Sequence, residues 1–341
     1  MSVGLASGVR HLQVAGPSVT AATGLVLLLV GLALSTGGTV ALVRPVTGRR
    51  RWIAVPAGLL VVWFAVWPLT VALMATHVPP TRLGTVTPAD RGLPFRNVSM
   101  RTADGVRLSA WYLPARNGAA VVLRHGATST RSATLAQAVV LAHHGYGVLA
   151  TDARGHGRSR GTAMDLGWRG DTDTAAAVTW LASRPDVDPQ RIGVVGLSMG
   201  GEEALGAAAT DPRIRAVVAE GVSGRGIVAD DDLVLPDHPG RWMNIMQTWI
   251  QQRLTALLAD VEPPRSLRSA VLATAPRRVL LITGGAAAGG EVPAGLRLYA
   301  ASPASVTLWQ VPDAPHTGGL TTQPRRWEAR VISFLDRALR P

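Results

Sequence analysis

The sequence predicts an α/β protein: a mostly parallel, twisted sheet with helices on both faces and a helical cap insertion, preceded by two membrane-spanning helices. Three observations carry this reading. Two segments of about 25 residues, Val19 to Val43 and Trp52 to Thr76, hold no charged side chain. From Phe95 onwards, short β-rich apolar runs alternate with helical stretches. A stretch of about fifty residues, near 225–275, interrupts that alternation.

The two N-terminal segments come first. About 20 apolar residues cross the hydrocarbon core of a bilayer as a helix, and each segment exceeds that length. Pro56 and Pro68 are costly inside a water-exposed helix but tolerated in a membrane span. Trp52, Trp63 and Trp67 suit a segment that approaches both interfaces. Gly24, Gly31 and Ser35 leave room for close helix approach. A cleaved signal peptide would have a shorter apolar run and a small-residue cleavage site. The loop "RPVTGRRR" between the segments holds Arg44, Arg49, Arg50 and Arg51, whereas the N-terminal tail has only Arg10. The positive-inside bias therefore places the loop in the cytoplasm and everything after Thr76 outside it. Arg82, Arg91 and Arg96 pull the other way. The expectation is a multi-pass protein of the cell membrane, with the bilayer as a partner and the α/β domain extracytoplasmic.

The 341 residues include 34 basic and 22 acidic side chains, a net charge of +12. Every one of the 34 is arginine. They are scattered and accompany no nucleic-acid-binding motif, so no nucleic acid partner is expected. The pattern matches the compositional bias of a GC-rich genome. With no cysteine, disulfides, thiolate chemistry and Cys-ligated metals are excluded.

The domain reading follows: 1–76 as membrane hairpin, 77–94 as linker and 95–341 as the α/β domain. "HVPPTRLGTVTPADRGLP" is rich in Pro, Gly and Thr without apolar periodicity and reads as a tether. "RLSAWYLPA" alternates like an outer strand. "AAVVLRHG", "GVLATDARG", "RIGVVGLS", "IRAVVAEG", "RRVLLITGG" and "SVTLWQVPDA" are continuous apolar runs, as strands buried on both faces require. Helices are expected over 131–144, 171–183, 199–210, 293–301 and 324–340. In the last, Trp327, Val331, Phe334, Leu335 and Leu339 form one apolar stripe. In the insertion, which follows the sixth sheet strand, Trp242, Ile245, Met246, Trp249 and Ile250 cluster at helical spacing. This helix is either a lid over a site at the strand ends or a helix that packs on the body.

The stretch "VVGLSMGGEEAL" sets Ser198 between a strand and a helix, flanked by Gly196 and Gly200. A sharp strand-to-helix turn strains the middle residue, and small neighbours at two positions either side avoid collisions. Its hydroxyl then stands above the sheet edge at a helix N-terminus, which favours developing negative charge. The alternative reading is a plain N-cap serine.

These segments resemble the α/β-hydrolase superfamily, in particular serine hydrolases of the dienelactone hydrolase and prolyl-oligopeptidase-like type. "LRHGATST" is similar to the oxyanion loop after strand three, and "ATDARGHGRSRG" to the D-x-R-G-x-G-x-S signature. "GLSMGG" is similar to the nucleophile elbow, and "VPDAPHTGGL" to the loop of the catalytic histidine. The resemblance covers roughly residues 95–341. It implies Ser198 as nucleophile and His316 as general base; His316 is also the last histidine in the chain, the preceding one being His238. It implies an oxyanion hole from the backbone N–H groups of Met199 and Ala127. His125, Asp152, Arg154, His156 and Ser159 are expected to shape loops, and His143 and His144 to lie on the surface. The acid departs from the family. After strand seven, where the family places an aspartate, the chain reads "ITGGAAAGGEVPAG", with Ala286, Ala287 and Ala288. Glu291 is the first candidate, since the glycines before it let the chain turn back. Glu220, at the end of strand six, is the second, and a site without a working acid is the third. Asp313 stands too near His316 along the chain to orient its ring.

The expected function is a membrane-anchored serine hydrolase, carboxylesterase-like (EC 3.1). It would cleave an apolar small-molecule ester, thioester or amide through an acyl-serine. An ester is favoured over a peptide because no propeller precedes the domain and the insertion is apolar. The alternatives are a non-catalytic or weakly active binding protein on the same fold, a peptidase, and a haloperoxidase-like or transferase use of the same residues. No metal is expected, since His, Asp and Glu do not gather at ligand spacing. No cofactor is expected either, since the first βα unit lacks a glycine-rich dinucleotide loop.

Overall fold

The computed structural model describes residues 2, 5–79, 81–225, 241–286 and 290–339. They fall into two compact units.

The first unit is the N-terminal stretch through Pro79 together with the described part of Leu235–Val261. A π-helical turn, Leu5–Val9, runs into α1 (Arg10–Ala15). Next comes α2 (Val19–Val43), where the Ser18 side chain accepts from Ala21 N at 3.1 Å and caps the helix. The third helix is α3 (Arg51–Thr76), with Pro56 and Pro68 inside it. Within α2 and α3, Val19–Ala41 and Trp52–Thr76 are long and apolar enough to cross a membrane, each with mean hydropathy 2.1. The N-terminal turn was not anticipated. It seats on α2 at Gly24, where a Cβ added to Gly8 would come within 2.7 Å of backbone. The insertion contributes α7 in chain order (Arg241–Ala259), which packs along α3. Its partner there, α3, is one that neither sequence reading of this helix named. Residues 226–240 of the expected cap lie outside the described residues.

The second unit holds one eight-stranded sheet in the order β1-β2-β4-β3-β5-β6-β7-β8. The strands are β1 (Arg96–Arg101), β2 (Arg107–Leu113), β3 (Ala120–Arg124), β4 (Gly147–Thr151), β5 (Ile192–Leu197), β6 (Ile214–Glu220), β7 (Arg278–Gly284) and β8 (Val306–Val311). Strand β2 is antiparallel to both β1 and β4, and β4 through β8 are parallel in sheet order. The alternating segment of the sequence is β2, and its six apolar runs are β3 to β8. Strand β1, "RNVSMR", was not singled out because only Met100 in it is buried.

The helices are α4 (Leu135–His143), α5 (Gly170–Ala182), α6 (Met199–Thr210), α8 (Leu267–Thr274), α9 (Glu291–Ala301), α10 (Gly319–Thr322) and α11 (Pro324–Ala338). Side chains of one strand alternate between faces. Val121 and Leu123 therefore join Leu141, Trp327, Val331 and Leu335 in one core. Ala120 and Val122 join Val178, Leu205, Val271 and Leu298 in the other. The apolar stripe of α11 is what buries that helix.

The stretch read as a tether belongs partly to this unit. Leu93 is buried and Leu83 packs against the core. Thr87 and Asp90 form a capping box on a 3₁₀ turn, and Gly84 N donates to Ser132 Oγ at 3.0 Å. Two leucines and a capped turn suffice to dock a segment whose Pro and Gly content gives no periodicity.

Candidate active site

The site forms where β5, β6, β7 and β8 end. Strand β5 runs straight into α6 with Ser198 as the hinge, at φ 53° and ψ −123°. A left-handed backbone at a residue with a Cβ costs about 1–3 kcal/mol and persists only where its surroundings impose it. Two features impose it. Ser198 N donates to Glu220 O at 2.7 Å. The flanking glycines allow an approach that no side chain permits: a Cβ on Gly196 would lie 2.1 Å from Gly200 O, and one on Gly200 2.6 Å from the carbonyls of Arg124 and His125.

His316, after β8, meets this hydroxyl. Its Nε2 lies 2.8 Å from Ser198 Oγ, and its Nδ1 meets Glu291 Oε1 in a very short contact. Glu291 accepts as a carboxylate, which fixes the imidazole proton on Nδ1 and leaves Nε2 to accept from the serine. The other oxygen, Glu291 Oε2, accepts from Gly284 N at 2.9 Å. Gly290, in the left-handed region at φ 84°, turns the chain into α9, and Glu291 opens that helix. A carboxylate in a first helical turn is favoured by the helix dipole. Glu291 is buried, whereas the His316 side chain is 51% exposed. Hydrogen bonding to Glu291 raises the His316 pKa above the ordinary 6.5, outweighing its partial burial. Ala287 and Ala288, of the expected acid position, lie outside the described residues.

Glu220, the other candidate acid, faces elsewhere. Its Oε1 accepts from Gly319 N at 2.7 Å and its Oε2 from Trp327 Nε1 at 2.9 Å. Burial pushes its pKa up, and the two N–H donors favour the ionised form. Glu220 therefore clamps the start of α10 and the core of α11 while its main chain holds the turn at Ser198. Asp313 is exposed.

The loop after β3 lies against the serine: a Cβ on Gly126 would meet Ser198 Cβ at 3.2 Å. Ala127 follows it, and Met199 opens α6, so the Met199 N–H belongs to the unpaired first turn of that helix. His125 is a loop residue. Its Nε2 accepts from Ala153 N at 2.9 Å and its Nδ1 donates to Gly126 O at 2.7 Å. Burial holds its pKa well below the ordinary range. Asp152 accepts from Arg131 N and Arg158 N, both at 2.9 Å. Ser159 Oγ donates to Asp152 O at 2.8 Å. Arg154 pairs with Asp173 at 2.6 Å and Asp104 at 2.7 Å, and His156 Nδ1 donates to Arg154 O at 3.0 Å. His143 and His144 are exposed at the end of α4, with His144 against Glu328.

Sequence reasoning missed two supporting features. Arg124, at the end of β3, is fully buried and donates through Nε and Nη2 to Glu203 Oε2 at 2.8 and 2.5 Å. Burial pushes the Glu203 carboxyl up to about 7. An arginine inside a run as apolar as "AAVVLRHG" was the available signal, because a buried charge needs a partner. The second feature is Gly221, at φ 75°. A Cβ there would lie 2.8 Å from Thr317 Cγ2 and 3.2 Å from His316 Cε1, so the glycine makes room for the histidine ring.

Comparison with known proteins now bears on this geometry. A model of the X-Pro dipeptidyl-peptidase (S15) family matches residues 104–279, just over half of the chain. The chain belongs to the S15 family. The S15 match includes Ser198 and Glu220 and ends before Glu291 and His316. Among curated relatives of this S15 chain, an uncharacterized protein of Mycobacterium tuberculosis is 38% identical over 133 residues, 38% of the chain and 47% of the relative. A thiohydrolase of Aspergillus aculeatus is 33% identical over 129 residues, 37% of the chain and 41% of the relative. The chain thus spans about half the length of the curated relatives it matches. Among solved structures, an esterase of Pyrococcus furiosus superposes with a TM-score of 0.63 at 27% identity, covering 77% of the chain and 98% of the esterase. A dienelactone hydrolase of Anabaena variabilis superposes with a TM-score of 0.52 at 21% identity, covering 73% of the chain and 99% of that enzyme, and shares the fold. The S15 chain has the α/β-hydrolase fold.

Proposed function

We propose that the protein is a membrane-anchored serine hydrolase that cleaves an ester or thioester through an acyl-serine. The observation that carries this reading is the hydrogen-bonded series Ser198 Oγ, His316 and Glu291 at the ends of the parallel strands. In the first half-reaction His316 Nε2 takes the Ser198 proton as Oγ attacks the acyl carbonyl. The tetrahedral oxyanion is met by the N–H groups of Met199 and Ala127. His316 passes its proton to the leaving oxygen or sulfur, and the acyl–oxygen bond to Ser198 remains. In the second half-reaction His316 takes a proton from water, hydroxide adds to the acyl carbon, and Ser198 leaves with the proton returned. Glu291 stabilises the imidazolium in both halves. The role of His125 and of the 152–159 loop is to hold the oxyanion loop in place.

The likeness to the Pyrococcus furiosus esterase, over nearly all of that chain, favours an ester. The S15 family match favours a second reading, removal of X-Pro dipeptides. Initial rates on p-nitrophenyl acyl esters and on X-Pro p-nitroanilides separate them. Faster turnover of the esters is expected. Faster turnover of the anilides replaces the ester with a peptide substrate, and turnover of neither together with no labelling by a fluorophosphonate favours a binding protein.

The anchor rests on the two apolar helices and on the arginines of the 44–51 loop. The loop is assigned to the cytoplasm and the catalytic unit to the other side. A reporter fused after Pro341 is expected to be active only outside the cytoplasm. Activity inside reverses the orientation.

A further inference from the structure

Helix α7 is built inside out. Along its length Trp242, Met246, Trp249 and Leu257 recur at helical spacing, and all four are exposed, Trp242 at 60% and Leu257 at 79%. The side chains that are buried on the same helix are Gln247, Gln252 and Thr255, the last completely. Among the described residues of α7, no large hydrophobic side chain is buried. A helix on a water-soluble body shows the reverse, with its apolar stripe towards the core. Turning tryptophan, methionine and leucine outward while turning amides and a hydroxyl inward is the arrangement suited to an apolar solvent, in which polar groups face protein.

Two further observations name that solvent. Helix α7 packs along α3, a helix long and apolar enough to cross a bilayer. A groove of about 690 Å³ runs along α3, lined by Leu60, Trp63, Val66 and Trp67 among others, and α7 contributes Met243 to it. Its one polar lining residue, Thr70, spends its hydroxyl on Val66 O at 2.7 Å. The groove thus continues the apolar surface of the span. Nor does α7 read as a span of its own. Its 19 residues include Asn244, three glutamines and Arg253, too polar for the hydrocarbon core. Arg253 stands in the exposed stripe with its guanidinium 5.6 Å from the centre of the Trp249 ring, a pairing of a long cationic side chain and an amphipathic ring that fits the headgroup level.

We propose that α7 is an interfacial membrane helix, with Trp242, Met246, Trp249 and Leu257 immersed among the acyl chains of the bilayer and its amide side turned to protein. This rests on the reading of α2 and α3 as spans. It gives the insertion between β6 and β7 a second hold on the membrane, separate in sequence from the hairpin.

The absence of cysteine from the chain makes every introduced cysteine a unique labelling site. The full-length protein in phosphatidylcholine vesicles is labelled with a nitroxide at Met246→Cys or Leu257→Cys. Leu29→Cys, exposed on α2, and Gln190→Cys, exposed on the catalytic unit, serve as references. Collision with oxygen against collision with a water-soluble nickel chelate is read by electron paramagnetic resonance, after circular dichroism shows each variant folded. Positions 246 and 257 are expected to favour oxygen as Leu29→Cys does, several-fold over Gln190→Cys. If Leu29→Cys favours oxygen while 246 and 257 match Gln190→Cys, α7 lies in water and the proposal is overturned with the hairpin intact. If Leu29→Cys also matches Gln190→Cys, the spans and the proposal fall together.

Discussion

Ser198→Ala is expected to abolish labelling by a fluorophosphonate and to lower ester turnover by several orders of magnitude, with the fold unchanged. Loss of a serine nucleophile has cost about 10⁶ in kcat where it has been measured, leaving the contribution of oxyanion hole and binding. The fold should survive because, among the described residues, the hydroxyl is engaged only by His316. The elbow itself is held by the Ser198 N–H to Glu220 O bond and by the glycines at 196 and 200, and alanine keeps both the N–H and the Cβ. Labelling measures activation of the nucleophile directly, before any choice of substrate. Undiminished ester turnover by the variant would remove Ser198 from the chemistry.

The parts of this arrangement legible in the sequence are those with a local cause. Strands β3 to β7 announce themselves as apolar runs because they are buried on both faces over nearly all their length, and α6 begins and ends where its pattern does, at 199 and 210. The elbow is legible because its steric demand falls on Gly196 and Gly200, two neighbours of Ser198. Strand β1 was not legible: with one face in solvent, its charged and polar residues give no period. The acid illustrates a middle case. Glu291 stood out as the carboxylate of its loop, but its approach to His316 depends on a left-handed turn at Gly290 and on the Gly284 N–H that fixes its second oxygen. The turn is announced by the glycines before Glu291, whereas the partner of its second oxygen is written in no local pattern. The inverted face of α7 illustrates the limit. Periodicity finds the stripe of Trp242, Met246 and Trp249, but the side on which it lies depends on what the helix packs against.

Glu291→Gln is expected to lose far more activity than Glu220→Gln, and to move the pH dependence as well. An amide at 291 can present its N–H₂ to His316 Nδ1, which favours the wrong tautomer and removes the charge that stabilises the imidazolium. The corresponding change in a Ser-His-Asp enzyme costs about 10⁴ in kcat. The direction of the pH effect follows from His316. With the neutral ring as the proposed base, kcat/KM is expected to rise with pH through the His316 pKa, which its bond to Glu291 holds above 6.5. Without that carboxylate the pKa falls, and the acid limb of the profile moves to lower pH while the plateau drops. At Glu220 the geometry dictates a different loss. Both oxygens accept from buried N–H donors, Gly319 N and Trp327 Nε1. Glutamine satisfies one and confronts the other with its own donors, a mismatch of about 1–3 kcal/mol. That should appear mainly as lowered thermal stability, with a smaller effect on kcat through the position of the His316 loop. Rates and pH profiles of both folded variants decide the matter. A dead Glu220→Gln beside a near-normal Glu291→Gln would put the working acid at the end of β6. Near-normal activity in both would leave Ser198 and His316 working as a pair, and the contact between Glu291 and His316 would then be structural.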